Sequence, residues 1–332
     1  MRGRGGMVAV RFCWRMAGGF LALAAVPPAG ADQGTEGPTL YLTWENDALR
    51  GADRHFTQGG RILYMSGDEG PADWMRRLSG YVPTLGFDPE ALKYGVEVGQ
   101  EIYTPEDLDA VNVVPDDRPY AGWLYVSMLL QRRGRTATDI YAMETLRIDA
   151  GTVGKQSLAE GAQKVWHSRD PQGWDNQIKT EPGLILRYDR DYLFRWRNWG
   201  RCDFDILPGV DAALGNIDIH AGLRATARAG YNIPNRHEVP GRPTSTGWGA
   251  FGAYMFVTGG GKAVVHSIFL DGNTWQDSHS VERDPWVATL RSGVGLALGP
   301  FEVLASHHYV TREFATQKHS DSYGSVVLAI KF

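Results

Sequence analysis

The feature that most constrains this chain is a two-residue alternation that recurs along it without any long apolar run. Tyr94, Val96 and Val98 alternate with Gly95, Glu97 and Gly99, and Val326, Leu328, Ile330 and Phe332 alternate with Ser325, Val327, Ala329 and Lys331. Trp123 and Tyr125 likewise alternate with Leu124, Val126 and Met128. Successive side chains of a strand leave opposite faces, so each segment can show one face to lipid and the other to a polar or crowded interior. Beyond residue 31 no stretch reaches the roughly 18 apolar residues of a spanning helix. A soluble sandwich would also alternate, with its apolar face turned inward. The expected fold is all-β, a transmembrane antiparallel β-barrel.

Alternating segments fall near 38–46, 58–66, 93–102, 121–131, 136–149, 181–194, 201–214, 216–230, 248–258, 262–270, 287–298, 300–311 and 322–332. Bacterial barrels have an even number of strands. Twelve are therefore expected, with one segment spurious or two neighbours forming one bent strand. The chain ends on Phe332, an aromatic closing an amphipathic strand, which resembles the signal by which the barrel-assembly machinery recognises outer-membrane proteins.

Residues 1–31 read as a secretory leader, followed by a barrel domain over 32–332. Arg2, Arg4, Arg11 and Arg15 give a basic start, Ala17 to Val26 is apolar but too short to span, and Ala29-Gly30-Ala31 is a small-x-small cleavage site. Of the two cysteines, Cys13 falls in the leader. Once it is removed Cys202 has no cysteine partner in the same chain, which rules out a disulfide framework or a structural zinc site built on cysteines. The net charge is −4 and the basic residues are scattered, so no nucleic-acid surface is expected.

One stretch breaks the alternation. In QSLAEGAQKVWH (156–167) Leu158, Ala162 and Val165 fall at helical spacing, and Ser157 and Glu160 have the spacing of a capping box. Gln163 and His167, four apart, share one face of this helix. With both termini in the periplasm, connections after odd-numbered strands are external. That places Asp47 to Thr57, the loop holding Asp117 to Tyr120, the helix, and 312–321 on one outer rim. The same counting puts 271–286 at the periplasmic end. Asp271, Asn273, Asp277 and His279 therefore read as a structural turn and not as a metal site.

Asn46 and Asp47, adjacent at a strand end, offer hard oxygen ligands suited to calcium, although such pairs also build Asx turns. His167 has the ordinary imidazole chemistry of a general base near neutral pH. No G-x-S-x-G elbow is present for a serine hydrolase.

Five strings in order, ENDALRGADRHFTQG, DDRPYAGWLY, TVGKQSLAEGAQKVWHSRDPQGWDNQ, FLDGNTWQDSHSV and TREF, resemble the LpxR family of outer-membrane lipid A 3'-O-deacylases. The resemblance covers nearly the whole chain after the leader. It implies a twelve-stranded barrel in the outer membrane, with a site on the outer rim, facing the cell exterior, between the wall and a loop helix. It implies calcium-dependent hydrolysis of the 3'-linked acyl ester of lipid A, with lipopolysaccharide and outer-membrane lipids as partners. Carried over by position, Asn46 and Asp47 look like the calcium pair, Thr57 like the threonine ending that loop, and Gln163 and His167 like the helix pair with His167 as base. The family's acidic residue after the histidine matches either Asp170 or Asp175. Direct attack of water, without an acyl-enzyme, follows from that set. The competing classes are an outer-membrane phospholipase with a serine nucleophile and a non-enzymatic barrel or pore.

Overall fold

The computed structural model describes residues 37–47, 55–68, 70–166, 171–199, 202–233 and 251–332. Twelve antiparallel strands close into a barrel in which each pairs with its neighbours in sequence and the last returns to the first. They are β1 (Thr39–Asn46), β2 (His55–Met65), β3 (Phe87–Thr104), β4 (Ala121–Thr136), β5 (Tyr141–Val153), β6 (Glu181–Trp199), β7 (Cys202–Gly215), β8 (Asp218–Tyr231), β9 (Phe251–Ser267), β10 (Trp286–Leu298), β11 (Phe301–Val310) and β12 (Asp321–Lys331). Closure runs from Thr39 opposite Lys331 to Asn46 opposite Gly324. Among the described residues no helix is long and apolar enough to cross a membrane.

The two segments 248–258 and 262–270 are one strand, β9. Gly259, Gly260 and Gly261 interrupt the side-chain alternation but not the ladder. They pair with Leu290, Thr289 and Ala288 of β10 on one side and with Ala225, Arg224 and Leu223 of β8 on the other. The placement of 271–286 at the periplasmic end is corrected. Two strands, β10 and β11, separate it from the 311–320 connection, and two antiparallel strands bring the chain back to the same end. The connection 268–285 thus shares a rim with those after β1, β3, β5, β7 and β11.

The alternation sorts residues as a lipid-facing wall requires. On the outer face Leu42, Ile62, Val98 and Val126 lie in one register row and are 36%, 56%, 50% and 50% exposed. The inner face carries the charges. Arg61 pairs with Glu45 at 2.6 Å and Arg147 with Glu97 at 2.9 Å. Arg224 holds Asp189, Asp191 and Asp211 at 3.0–3.1 Å. Arg195 and Arg228 share Asp205 at 2.6 and 2.7 Å. These groups tolerate desolvation only as opposite-charge sets.

Both ends of the lumen are occupied. At the end where β1 starts and β12 finishes, the β2–β3 connection carries helix α1 (Asp73–Gly80). Arg132 donates to the carbonyls of Ser79, Val82 and Pro83, and Arg190 to those of Thr84 and Leu85. At the other end Phe56, Tyr103, Tyr323 and Phe269 form an aromatic layer with ring centroids 4.2–5.5 Å apart.

Asp205 is fully buried between two guanidinium groups. Asp205→Ala is expected to lower the unfolding free energy by about 3–5 kcal/mol, because it leaves two buried cations facing each other. Urea titration of the barrel refolded in detergent measures this.

Candidate functional site

The site begins where the outer face of the wall stops being lipid-exposed. Leu42, Trp44 and Asn46 leave β1 on the same face. Leu42 is 36% and Trp44 41% exposed, whereas Asn46 is 4% exposed. Asn46 is directly opposite Gln58 of β2, Gln58 opposite Ile102 of β3, and Ile102 opposite Gly122 of β4. This row of four lies one step nearer the rim than the exposed wall and is covered from outside.

Much of the cover is helix α2 (Ala159–Trp166). The chain leaves β5 through a 3-10 turn, Gly154–Ser157, and reverses at Leu158, whose φ is 59°. Ser157 does not cap α2; its hydroxyl donates to Gly154 O at 2.6 Å. Gln100 Nε2 donates to Ser157 O at 2.6 Å and ties the turn to the wall. A Cβ on Gly122 would run into Ser157 Oγ and Ala159 Cβ, so this glycine permits the close approach. Ile102, Leu108, Tyr120, Ala159 and Trp174 then form one buried apolar cluster joining the wall, α2 and the β3–β4 connection.

Four of the five expected residues are described, and all four are buried at this rim: Asn46 at 4%, Asp47 at 2%, Thr57 at 0% and Gln163 at 0% exposed. Thr57 is the extra residue of a β-bulge. Phe56 pairs with Tyr103 and Gln58 with Ile102, leaving Thr57 off the ladder, where its hydroxyl meets that of Thr104 at 2.7 Å. The bulge also turns Phe56 into the aromatic layer. Gln163 lies on α2. Its Oε1 accepts a hydrogen bond from Trp174 Nε1 at 2.8 Å, and its Nε2 is buried with no partner among the described residues. His167 and Asp170 lie outside the described residues. Asp175 is 96% exposed, 4.0 Å from Lys155, and outside the buried row.

Sequence reasoning missed three members of this arrangement. Trp174 fixes the Gln163 amide, Gly122 seats α2, and Gln58 stands across from Asn46. All three fall inside the strings quoted for the family resemblance, but nothing in those strings singles them out from their neighbours.

The donors at the rim are amide, carboxylate and hydroxyl oxygens. Among the described residues there is no cluster of three or more His, Cys, Asp or Glu side chains that could hold a metal ion. The Gln58 amide oxygen is buried and accepts no hydrogen bond among the described residues. Such a hard, oxygen-only set fits calcium and not a soft metal.

The Asp271 cluster proves structural by its partners and not by its position. Arg283 holds one Asp271 oxygen at 2.7 Å, and the His266 ring and Ser267 N–H hold the other at 3.0 and 2.8 Å. Burial opposes ionisation of Asp271, but these donors outweigh it and keep the carboxyl below the usual carboxylate range. Asn273 forms a two-way bridge to the Lys179 backbone at 2.7 Å, and His279 contacts Asp117 O at 2.7 Å. The segment therefore staples the β9–β10 connection to the β3–β4 and β5–β6 connections.

A closed twelve-stranded barrel with an apolar outer wall, a charged interior and a short helix packed on the outside of its rim defines an outer-membrane β-barrel protein. The profile of the family described as Outer membrane protein LpxR matches residues 18–332; the chain belongs to that family. Among solved structures, LpxR from Salmonella typhimurium is similar with a TM-score of 0.69 and 19% identity, over 89% of this chain and 100% of that one. The β domain of the Bordetella autotransporter BrkA is similar with a TM-score of 0.46 and 11% identity, over 90% of this chain and 100% of that one. No curated protein matches the chain.

Gly122→Val is expected to unseat α2 while the barrel persists. A heat-modifiable band should remain on unboiled gels, and limited proteolysis should cut within 154–180 faster than in the wild type.

Proposed function

We propose that this protein is a lipid A deacylase that hydrolyses the 3'-linked acyl ester in the outer leaflet, with calcium as its metal. The observation that carries this reading is the burial of Asn46, Asp47, Thr57 and Gln163 at one rim of the barrel, in a chain of the LpxR family. A soluble substrate has no reason to approach through the membrane flank, whereas an outer-leaflet lipid is already there. The start of β1 and the end of β12 lie at the opposite end of the barrel, the periplasmic end in this reading, so this rim faces the cell exterior.

Asn46 and Asp47 would hold calcium, which when bound polarises an ester carbonyl and stabilises charge on its oxygen. His167 acts as general base, taking a proton from the water that attacks the carbonyl carbon. Gln163, with Oε1 engaged by Trp174, keeps Nε2 available to orient the water or the carbonyl oxygen. Thr57, braced by Thr104, shapes the ligand shell from the bulge. Alcohol release leaves a free fatty acid and lipid A lacking that chain, with no acyl-enzyme.

Lipid A from cells expressing the chain should lose the mass of its 3'-linked acyl group. His167→Ala and Asp47→Ala should abolish the shift while the barrel still folds. Lysophospholipid appearing in place of deacylated lipid A would instead indicate a phospholipase. Trp174→Phe keeps the ring but removes the N–H that holds Gln163. It should lower kcat about tenfold or more, with KM little changed, and loss of KM alone would remove Trp174 from the positioning role.

A further inference from the structure

Gln58 is a polar residue on a face that should be apolar. Farther along the same outer face of β2, Ile62 and Tyr64 are exposed as a lipid-facing strand demands. Gln58 is 7% exposed, and its Oε1 is buried without a hydrogen bond among the described residues. A buried amide oxygen left unsatisfied is costly, so this one calls for a partner that the described residues do not supply. The register says where that partner sits. Gln58 is directly opposite Asn46, and side chains paired in this way leave the same face of the sheet with Cβ atoms about 5 Å apart.

We propose that Gln58 is a further oxygen ligand of the cation held by Asn46 and Asp47, a step that rests on the calcium reading above. Calcium takes six to eight oxygen ligands and accepts side-chain carbonyls among them. An adjacent Asn-Asp pair supplies only part of such a shell. Gln58 brings a neutral carbonyl from the neighbouring strand, so the site is clamped by two paired strands and not by one loop. The clamp couples cation binding to the β1–β2 register at the rim. Thr57, next to Gln58, is braced through its hydroxyl by Thr104 and so steadies the strand that carries this ligand.

The test uses the full-length barrel folded in detergent, with calcium as the probe. Binding is read by displacement of terbium luminescence excited through tryptophan and, separately, by calorimetry. Wild type, Asp47→Ala, Gln58→Met and Gln58→Glu are compared, with folding checked by heat-modifiable migration. Gln58→Met, close in size but without the carbonyl, should weaken calcium binding about tenfold. Gln58→Glu, which adds a charged oxygen at the same place, should tighten it. Calcium affinity unchanged in both variants would overturn the assignment of Gln58 while leaving the calcium site intact. Absence of calcium binding in the folded wild type would overturn the calcium reading itself, and the Gln58 proposal with it.

Discussion

Every backbone N–H and C=O at membrane depth needs a partner inside the protein, because hydrocarbon offers none. The pairing of β1 with β12, eight residues in register from Thr39–Lys331 to Asn46–Gly324, meets that demand by removing the last free edge. Once the sheet is closed, each residue is committed to lipid or to lumen. Polar and charged groups have nowhere to go but inward, and the inner face of this chain is accordingly built from Arg–carboxylate sets. Those sets, with the β2–β3 connection at one end and the aromatic layer at the other, occupy much of the interior and leave a polar cavity lined by Glu101, Arg187, His220 and Lys262.

At the rim the wall still has two faces, and the outer one is covered by α2. Helix α2 is held against it by contacts that each depend on a small detail, namely the missing Cβ of Gly122, the Gln100 bond to Ser157 O and the left-handed turn at Leu158. Together they bury a strip of the outer wall that would otherwise face lipid. Two exposed apolar residues, Leu158 at 65% and Val165 at 77%, remain on the α2 segment. The cover is thus amphipathic, with Gln163 turned to the wall side.

The barrel was legible because period two survives translation into structure directly: a strand has no choice about which side its neighbours take. The legibility failed where a residue has no side chain to report. Gly259, Gly260 and Gly261 split β9 into two apparent segments, although their backbone pairing is continuous. Local helix rules failed at Ser157 for a different reason. Capping-box spacing was present, but Leu158 reverses the chain between the 3-10 turn and α2, so the hydroxyl serves Gly154. The Asn46–Asp47 pair and the Gln163 helix position could be picked out from motif and resemblance. Gln58 and Trp174 could not, because their relevance lies in register and in a contact eleven residues away along a folded loop.

The alternation that builds the wall also sets the height of the site. Leu42, Trp44 and Asn46 are successive residues of one face, so a lipid contact, an exposed indole and a buried polar group are spaced at two-residue intervals. With a rise of about 3.3 Å per residue, Asn46 sits about 7 Å beyond Trp44 along the strand. Exposed tryptophans favour the boundary between acyl chains and headgroups. A polar group one step outward from that boundary meets the region in which an acyl chain joins its polar carrier, not the tails below or the aqueous phase above. A shift of one residue in β1 would turn Asn46 into the lumen and Glu45 into lipid. The same register thus seals the barrel, keeps charge out of the membrane and sets Asn46 at the height of the membrane boundary.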